Sequence, residues 1–433
     1  FETLHDRPSP VSPTTPVGRF VAERRQRRRS LFEPMRPDEV AALAAALAED
    51  REDDPDLADA ARRLVDWCTR TEGSADRGGR TIVIDVQGSQ VPIRCGTRTH
   101  ARHVVDALLD GIAGRVPVRL FVAPTLPPLP ADLLARTDGA WDDTCDPATV
   151  GAFVQPMTLR VTPYAEPDVT PFLRPGVEQV DVWLDGLHLE HDGQYQPGPV
   201  PYLDLQCSVE RLLDTDLVLA LTDFAVTELP AGVAERAEIR ITGSTGGLEA
   251  RPSRPESERS GHVLVVGKIM PHKNVVTGLA AVVLAQRADP TLRAVAVVDA
   301  FPDDERDLWA FLVSIGADLD RWAFRFQPGD AEFTDLVAGA SVVVIPSLHE
   351  GFSLPVVEAL GLGTPVVLSD IPVHRELLGD APGFADPRDP VALAAAVTAV
   401  VADPAAVHRA QAAALTPRLA VGFADVVRQV GAE

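Results

Sequence analysis

The stretch Ser341 to Asp370, SVVVIPSLHEGFSLPVVEALGLGTPVVLSD, most narrows what this chain can fold into. Val342 to Ile345 is apolar at every position and β-branched, the pattern of a strand buried on both faces of a parallel sheet. Pro346 ends it, Gly351 lets the backbone approach a ligand, and Pro355 suits a first helical turn, where a missing N–H costs little. The spacing predicts a helix starting at about Leu354, closed by Gly361, Gly363 and Pro365, and a parallel strand over Val366 to Leu368. Such a helix turns its unpaired N–H groups and positive dipole end toward the carboxyl edge of the sheet, where open α/β folds bind ligands. An anion is the expected guest.

Lysine usage points to the same edge. Only two of the 40 basic residues are lysines, Lys268 and Lys273, and both lie in the loop Gly267-Lys268-Ile269-Met270-Pro271-His272-Lys273-Asn274 after an expected strand, His262 to Val266. A compact ammonium on a flexible stem is the chemistry selected there. Coincidence in an arginine-biased chain is the bland alternative. The whole chain, with 63 acidic residues and a net charge of −23, is unsuited to nucleic acid or an anionic bilayer. Its four cysteines, Cys68, Cys95, Cys145 and Cys207, have neither zinc-site nor disulfide-framework spacing. With no apolar run of spanning length and no secretory signal, the expected setting is cytoplasmic, with peripheral membrane contact left open. The chain opens at Phe1, as an excised part of a longer protein does.

Five organisational units are expected over the 433 residues. Residues 1–78 read as an extension: a Pro-rich flexible lead, a solvated basic block from Arg24 to Arg29, two short helices between Pro37 and Thr69, and a linker over Ser74 to Gly79. Residues 79–248 read as a first α/β domain, with strands at Thr81–Val86, Val118–Val122, Val180–Leu184, Leu217–Leu221 and Ala237–Ile241. Its helices are expected at His103–Leu109, Leu203–Leu213 and Phe224–Leu229. Residues 249–260, charged and Pro-bearing, read as an interdomain linker. Residues 261–415 alternate strand and helix as a doubly wound parallel sheet does. Residues 416–433 read as a C-terminal helix.

The stretch Glu350, Gly351-Phe352-Ser353-Leu354-Pro355, Glu358 resembles the signature of the retaining glycosyltransferases of family 4, with Ser353 where Gly is commoner. The resemblance extends from His262 to about Val397 and loosely into the first domain. It implies the GT-B fold: two Rossmann-like doubly wound domains facing a cleft, with a final helix, about Arg418 to Val430, crossing back. The implied activity is transfer of a sugar from a nucleotide-diphosphate sugar to a hydroxyl-bearing glycan, lipid or small-molecule acceptor with retained configuration, in polysaccharide or glycoconjugate synthesis. In that reading Lys268, Lys273 and the backbone of Gly351, Phe352, Ser353 and Leu354 hold the diphosphate, Glu358 the ribose, and Glu350 the transferred sugar. Neither a metal nor another cofactor is expected, because lysines and a helix dipole can neutralise the leaving group.

Asp85-Val86-Gln87-Gly88-Ser89-Gln90 resembles the opening of a family subgroup and makes Gly88 a ligand-binding candidate. The loop that follows departs from the family: Arg98, Thr99 and His100 stand where Gly, Arg and Tyr are usual. Many members carry a His-Asp pair after a strand; here Leu184 occupies the His place, Asp185 is kept, and His188 is the candidate substitute. His349 and His374 read as structural or surface residues. Two rival readings share the architecture. One is a nucleotide-sugar binding or partner subunit without catalysis, favoured by Leu184 and the altered loop; the other is a sugar-nucleotide 2-epimerase.

Overall fold

The computed structural model describes residues 15–27, 34–49, 55–69, 80–90, 96–156, 172, 176–190, 199–244, 261–299 and 302–419, apart from 113 and 125. The expected linkers at 74–79 and 249–260, and most of the expected closing helix at 418–430, lie outside these residues.

Helices α1 (Pro16–Arg27), α2 (Pro37–Glu49) and α3 (Pro55–Thr69) come first. The first sheet contains β1 (Thr81–Asp85), β2 (Val118–Phe121), β3 (Val150–Gln155), β4 (Glu178–Trp183), β5 (Leu217–Ala220) and β6 (Glu238–Ile241). All pairs are parallel, in the order β2-β1-β3-β4-β5-β6. Its helices are α4 (Gln87–Gln90), α5 (Gly96–Ile112), α6 (Ala131–Leu134), α7 (Leu187–Glu190), α8 (Pro199–Leu212) and α9 (Asp223–Thr227).

The second sheet contains β7 (His262–Lys268), β8 (Ala294–Asp299), β9 (Trp322–Phe326), β10 (Ala340–Ile345), β11 (Val366–Ser369) and β12 (Phe384–Ala385). Its order is β12-β11-β10-β7-β8-β9, again all parallel. Helices α10 (Val275–Ala288), α11 (Pro302–Ser314), α12 (Asp330–Gly339), α13 (Leu354–Gly361), α14 (Pro372–Leu378), α15 (Pro390–Ala402) and α16 (Pro404–Leu419) accompany it. The strand direction of winding reverses between β7 and β10, which makes the carboxyl edge of those two strands the topological switch point. The fold is thus two Rossmann-like parallel-sheet domains preceded by helices, as expected.

The strands are sorted by burial. Val263 and Val265 face one core with Leu279, Val282 and Val344, while Leu264, Val343 and Ile345 face another with Val356, Ala359 and Leu368. Burial on both faces explains the unbroken β-branched runs.

Three expectations need correction. The segment before Pro37 is not simply a flexible lead, because 16–27 forms α1, with Val17 and Val21 packed against Leu43, Leu57, Leu64 and Tyr202. Arg24 is no solvated charge: it is 4% exposed, donates to Tyr202 Oη and to Gln206 Oε1 (2.7 Å), and lies 3.5 Å from a Glu39 carboxylate oxygen. The tract read as an altered loop at 98–100 is the first turn of α5, which starts at Gly96 rather than His103.

Among the described residues no single helix is long and apolar enough to cross a membrane. The bent pair Pro390–Ala402 and Pro404–Leu415 passes by composition, but its Leu393, Val397, Val400 and Leu415 are core residues. Among the described residues Cys68, Cys145 and Cys207 are in no disulfide.

Candidate functional site

The loops that leave the carboxyl ends of β7 and β10 are tied together. Asn274, in the left-handed region at φ 50°, donates from its amide to Pro346 O (2.9 Å) and Pro387 O (2.8 Å), and Leu348 N donates to His272 O (2.6 Å). These bonds fix the lysine loop against the turn that carries Glu350.

Glu350 is the electrostatic centre of that turn. Its carboxylate accepts two hydrogen bonds from Lys273 Nζ, at 2.8 and 2.7 Å, and one from Ser347 Oγ at 2.6 Å. At 8% exposure it is a buried residue, not a solvated loop carboxylate. Burial alone pushes its carboxyl up. The Lys273 charge and hydrogen bonds, the Ser347 hydroxyl and a smaller contribution from His374 more than reverse this and hold it at about 2.

Ser353 precedes α13 in the left-handed region, φ 71°, and makes no side-chain cap to the helix. A β-carbon at this φ is strained, which explains why glycine suits the place. Ser353 keeps a compensating bond: its hydroxyl faces His374 Nε2 at 3.1 Å, while His374 Nδ1 donates to Ser369 O at 2.9 Å. Burial pushes the His374 imidazole down, so Nε2 is free to accept from Ser353. His374 is accordingly a structural residue of the turn.

The same turn meets the first domain. Thr222 Oγ1 donates to Gly351 O (2.9 Å), and the Glu376 carboxylate accepts from Asp223 N (2.7 Å) and Phe224 N (2.9 Å) at the start of α9. His349 Nε2 donates to Glu228 Oε1 at 2.5 Å, and Glu228 also accepts from Gly186 N. Gly351 is the tightest point: a Cβ there would lie 2.1 Å from Leu184 O. Only glycine permits this approach of the two domains.

Between them lies a cavity of about 390 Å³, within the size range of small-molecule sites. Asp185, Lys268, Lys273, Glu350, Gly351, Phe352, Ser353, Leu354 and Glu358 all line it. Asp185 Oδ1 also accepts from Leu187 N. Two candidates stand apart. Gly88 is buried in α4 and is not among the lining residues, because the chain after β1 turns into a short helix instead of looping into the cleft. His188 belongs to α7, but its side chain lies outside the described residues; its neighbour Leu187 lines the cavity, as does Leu184.

Sequence reasoning missed two parts of the wall. Val297 and Val298 at the end of β8, Gln327 and Pro328 after β9 and Phe333 in α12 line the cavity on one side, and Thr99 and His100 line it from α5. The former could have been found from the rule that loops after parallel strands form the cleft, applied to the ends of β8 and β9. Among the described residues no group of three or more His, Cys, Asp or Glu side chains comes together to hold a metal ion.

Two parallel-sheet domains closing on a switch-point cleft define the GT-B class, and solved structures agree. The sucrose-phosphate synthase of Thermosynechococcus elongatus superposes with a TM-score of 0.59, covering 81% of this chain and 97% of that one at 14% identity, a likeness of fold. A family model described as glycosyl transferases group 1 matches residues 248–416, the stretch that holds the second domain. O-antigen chain mannosyltransferase B of Escherichia coli is 32% identical over 135 residues, 31% of this chain and 35% of that protein. O-antigen chain mannosyltransferase RfbU of Salmonella typhimurium is 27% identical over 154 residues, 36% of this chain and 42% of its own length. The matches thus span well under half of these relatives.

Proposed function

We propose that this protein is a glycosyltransferase that moves a sugar from a nucleoside diphosphate sugar to a hydroxyl acceptor, with retained anomeric configuration and without a divalent ion. The observation that carries this reading is that Lys268 and Lys273, the chain's only lysines, line one cleft with the start of α13 at the switch point of the second sheet. Two ammonium groups and a helix N-terminus are chemistry for a diphosphate. Lys273 is then shared between Glu350 and a phosphate oxygen. Glu358 is the ribose contact, and the wall of Val297, Pro328 and Phe333 suits a planar base.

The C1–O bond to the diphosphate breaks and a C1–O bond to the acceptor forms on the same face. The acceptor proton passes to the departing phosphate oxygen, so no protein base is required. Glu350, held ionised, stabilises positive charge at the sugar ring and orients its hydroxyls. Asp185 reaches the same space from the first domain. His188 is an additional candidate for acceptor contact, and Gly88 is not part of this reading. Mannose is the first sugar to test, since both relatives are named as mannosyltransferases.

The test is nucleoside diphosphate release from GDP-mannose and UDP-glucose against an acceptor panel, with and without EDTA, and with the product anomer read by NMR. Turnover in EDTA with a retained anomer is expected. Binding without turnover on any acceptor would favour the non-catalytic binding subunit, for which Leu184 in the cleft wall is the supporting observation.

A further inference from the structure

His100 is a buried imidazole that the mechanism above does not use. It sits in the first turn of α5, beside Thr99, on the wall of the cleft contributed by the first domain. It is 3% exposed, yet neither Nδ1 nor Nε2 has a hydrogen-bond partner among the described residues. Leaving a buried polar group unpaired costs about 1–3 kcal/mol, and buried ring nitrogens are ordinarily satisfied. An apolar ring would fill the same space without that cost. The imidazole therefore makes sense as a group whose partner is the ligand of the cleft it lines.

The state of the ring narrows the ligand chemistry. Burial, with a smaller contribution from His103, pushes His100 down to about 3. A neutral imidazole offers one N–H and one lone pair and carries no charge for a phosphate. Its basicity is too low to remove a proton from an alcohol near neutral pH. The group it complements is a hydroxyl, which both gives and accepts a hydrogen bond. The two lysines of the cleft, Lys268 and Lys273, come from the opposite domain, and the charged group that lines it from the first domain is a carboxylate, Asp185, so the diphosphate belongs to the far wall and the sugar and acceptor hydroxyls to this one.

We propose that His100 is the first domain's hydrogen-bonding contact for a sugar hydroxyl in the cleft, and so a specificity-determining residue of the transfer reaction. The inference rests on the reading given under Proposed function. The hydroxyl belongs either to the transferred sugar or to the acceptor, and the two sources separate experimentally.

The experiment compares wild type, His100→Phe and His100→Asn by calorimetric titration with GDP, UDP, GDP-mannose and UDP-glucose, followed by acceptor kinetics. Phenylalanine keeps the ring volume without its nitrogens, and asparagine keeps one donor and one acceptor. The expected result is nucleoside diphosphate affinity within about twofold of wild type in both variants. His100→Phe then weakens either nucleotide-sugar binding or acceptor KM by about tenfold, a single hydrogen bond's worth, and His100→Asn recovers part of the loss. A shift in nucleotide-sugar affinity assigns the hydroxyl to the donor; a shift confined to acceptor KM assigns it to the acceptor. On the wild-type protein, ¹⁵N-histidine NMR shows one imidazole moving when the sugar-bearing ligand, and not the free diphosphate, is added. Wild-type affinity and KM in His100→Phe, or an imidazole unmoved by every sugar-bearing ligand that binds, overturns the proposal. Failure of wild type to bind any nucleoside diphosphate overturns the reading of the cleft instead.

Discussion

Replacing Glu350 by glutamine removes the one carboxylate on which Lys273 and Ser347 converge, and its effect on stability has a calculable pH dependence. The carboxyl is held at about 2 in the folded protein against an ordinary value of 4.5. A folded-state value below the unfolded one contributes stability in full above pH 4.5 and loses it as pH falls toward about 2. The difference is worth about 3 kcal/mol at pH 7 and about 2 kcal/mol at pH 3.5. The glutamine variant lacks this titration, so the stability gap between the two proteins narrows by about 1 kcal/mol between pH 7 and pH 3.5. Urea unfolding of the second domain, followed by ¹⁹F-tryptophan NMR at Trp309 and Trp322, measures the gap at each pH. Lys273→Met in the same assay strands a buried carboxylate and is expected to cost about 3–5 kcal/mol at pH 7. A gap that does not change with pH would refute the reasoning, because it would mean that Glu350 titrates alike in the folded and unfolded chain.

Other outcomes follow from the domain contact and the N-terminal helices. Gly351→Ala places a Cβ 2.1 Å from Leu184 O, so the domains must separate; a larger radius of gyration in solution scattering and loss of turnover are expected, with the second domain still folded. Burial pushes the His349 imidazole down, but the hydrogen bond and charge of Glu228, with Asp185 and Glu350, hold it above 6.5. The stabilisation from this pair is therefore full below pH 6.5 and lost as pH rises through the raised value. Melting temperature falling as pH rises above 6.5 in wild type, and a flatter profile in His349→Gln, would bear this out. Arg24→Met leaves Glu39 and Gln206 without their buried partner and is expected to loosen α1 by about 2–4 kcal/mol, read as faster proteolysis before Pro37 with the second domain unaffected.

The second sheet was legible because its strands are buried on both faces, so runs such as Val342 to Ile345 carry no competing polar pattern. The start of α13 at Leu354 followed from proline and glycine chemistry. The first domain was harder. β3, reading VGAFVQ, went unread because a glycine interrupts its apolar run, although Asp146-Pro147 and Pro156 bracket it. α1 was hidden because a run of arginines masks the stripe of Val17 and Val21, and nothing local says that Arg24 is buried. The lysine loop and the glutamate turn could each be found singly, but the Lys273–Glu350 bond joins residues 77 positions apart. His100 was assigned to a loop because its helix opens with Gly, Thr and Arg, which carry no apolar periodicity. What it faces depends on the closure of the two domains, which no single segment encodes.

The most direct measurement is a crystal structure of the protein soaked with GDP-mannose or UDP-glucose. The account predicts the diphosphate between Lys268 Nζ, Lys273 Nζ and the N-terminus of α13, the ribose on Glu358, and the sugar between Glu350 and the first domain. A nucleotide bound elsewhere, or a diphosphate out of reach of both lysines, would contradict it.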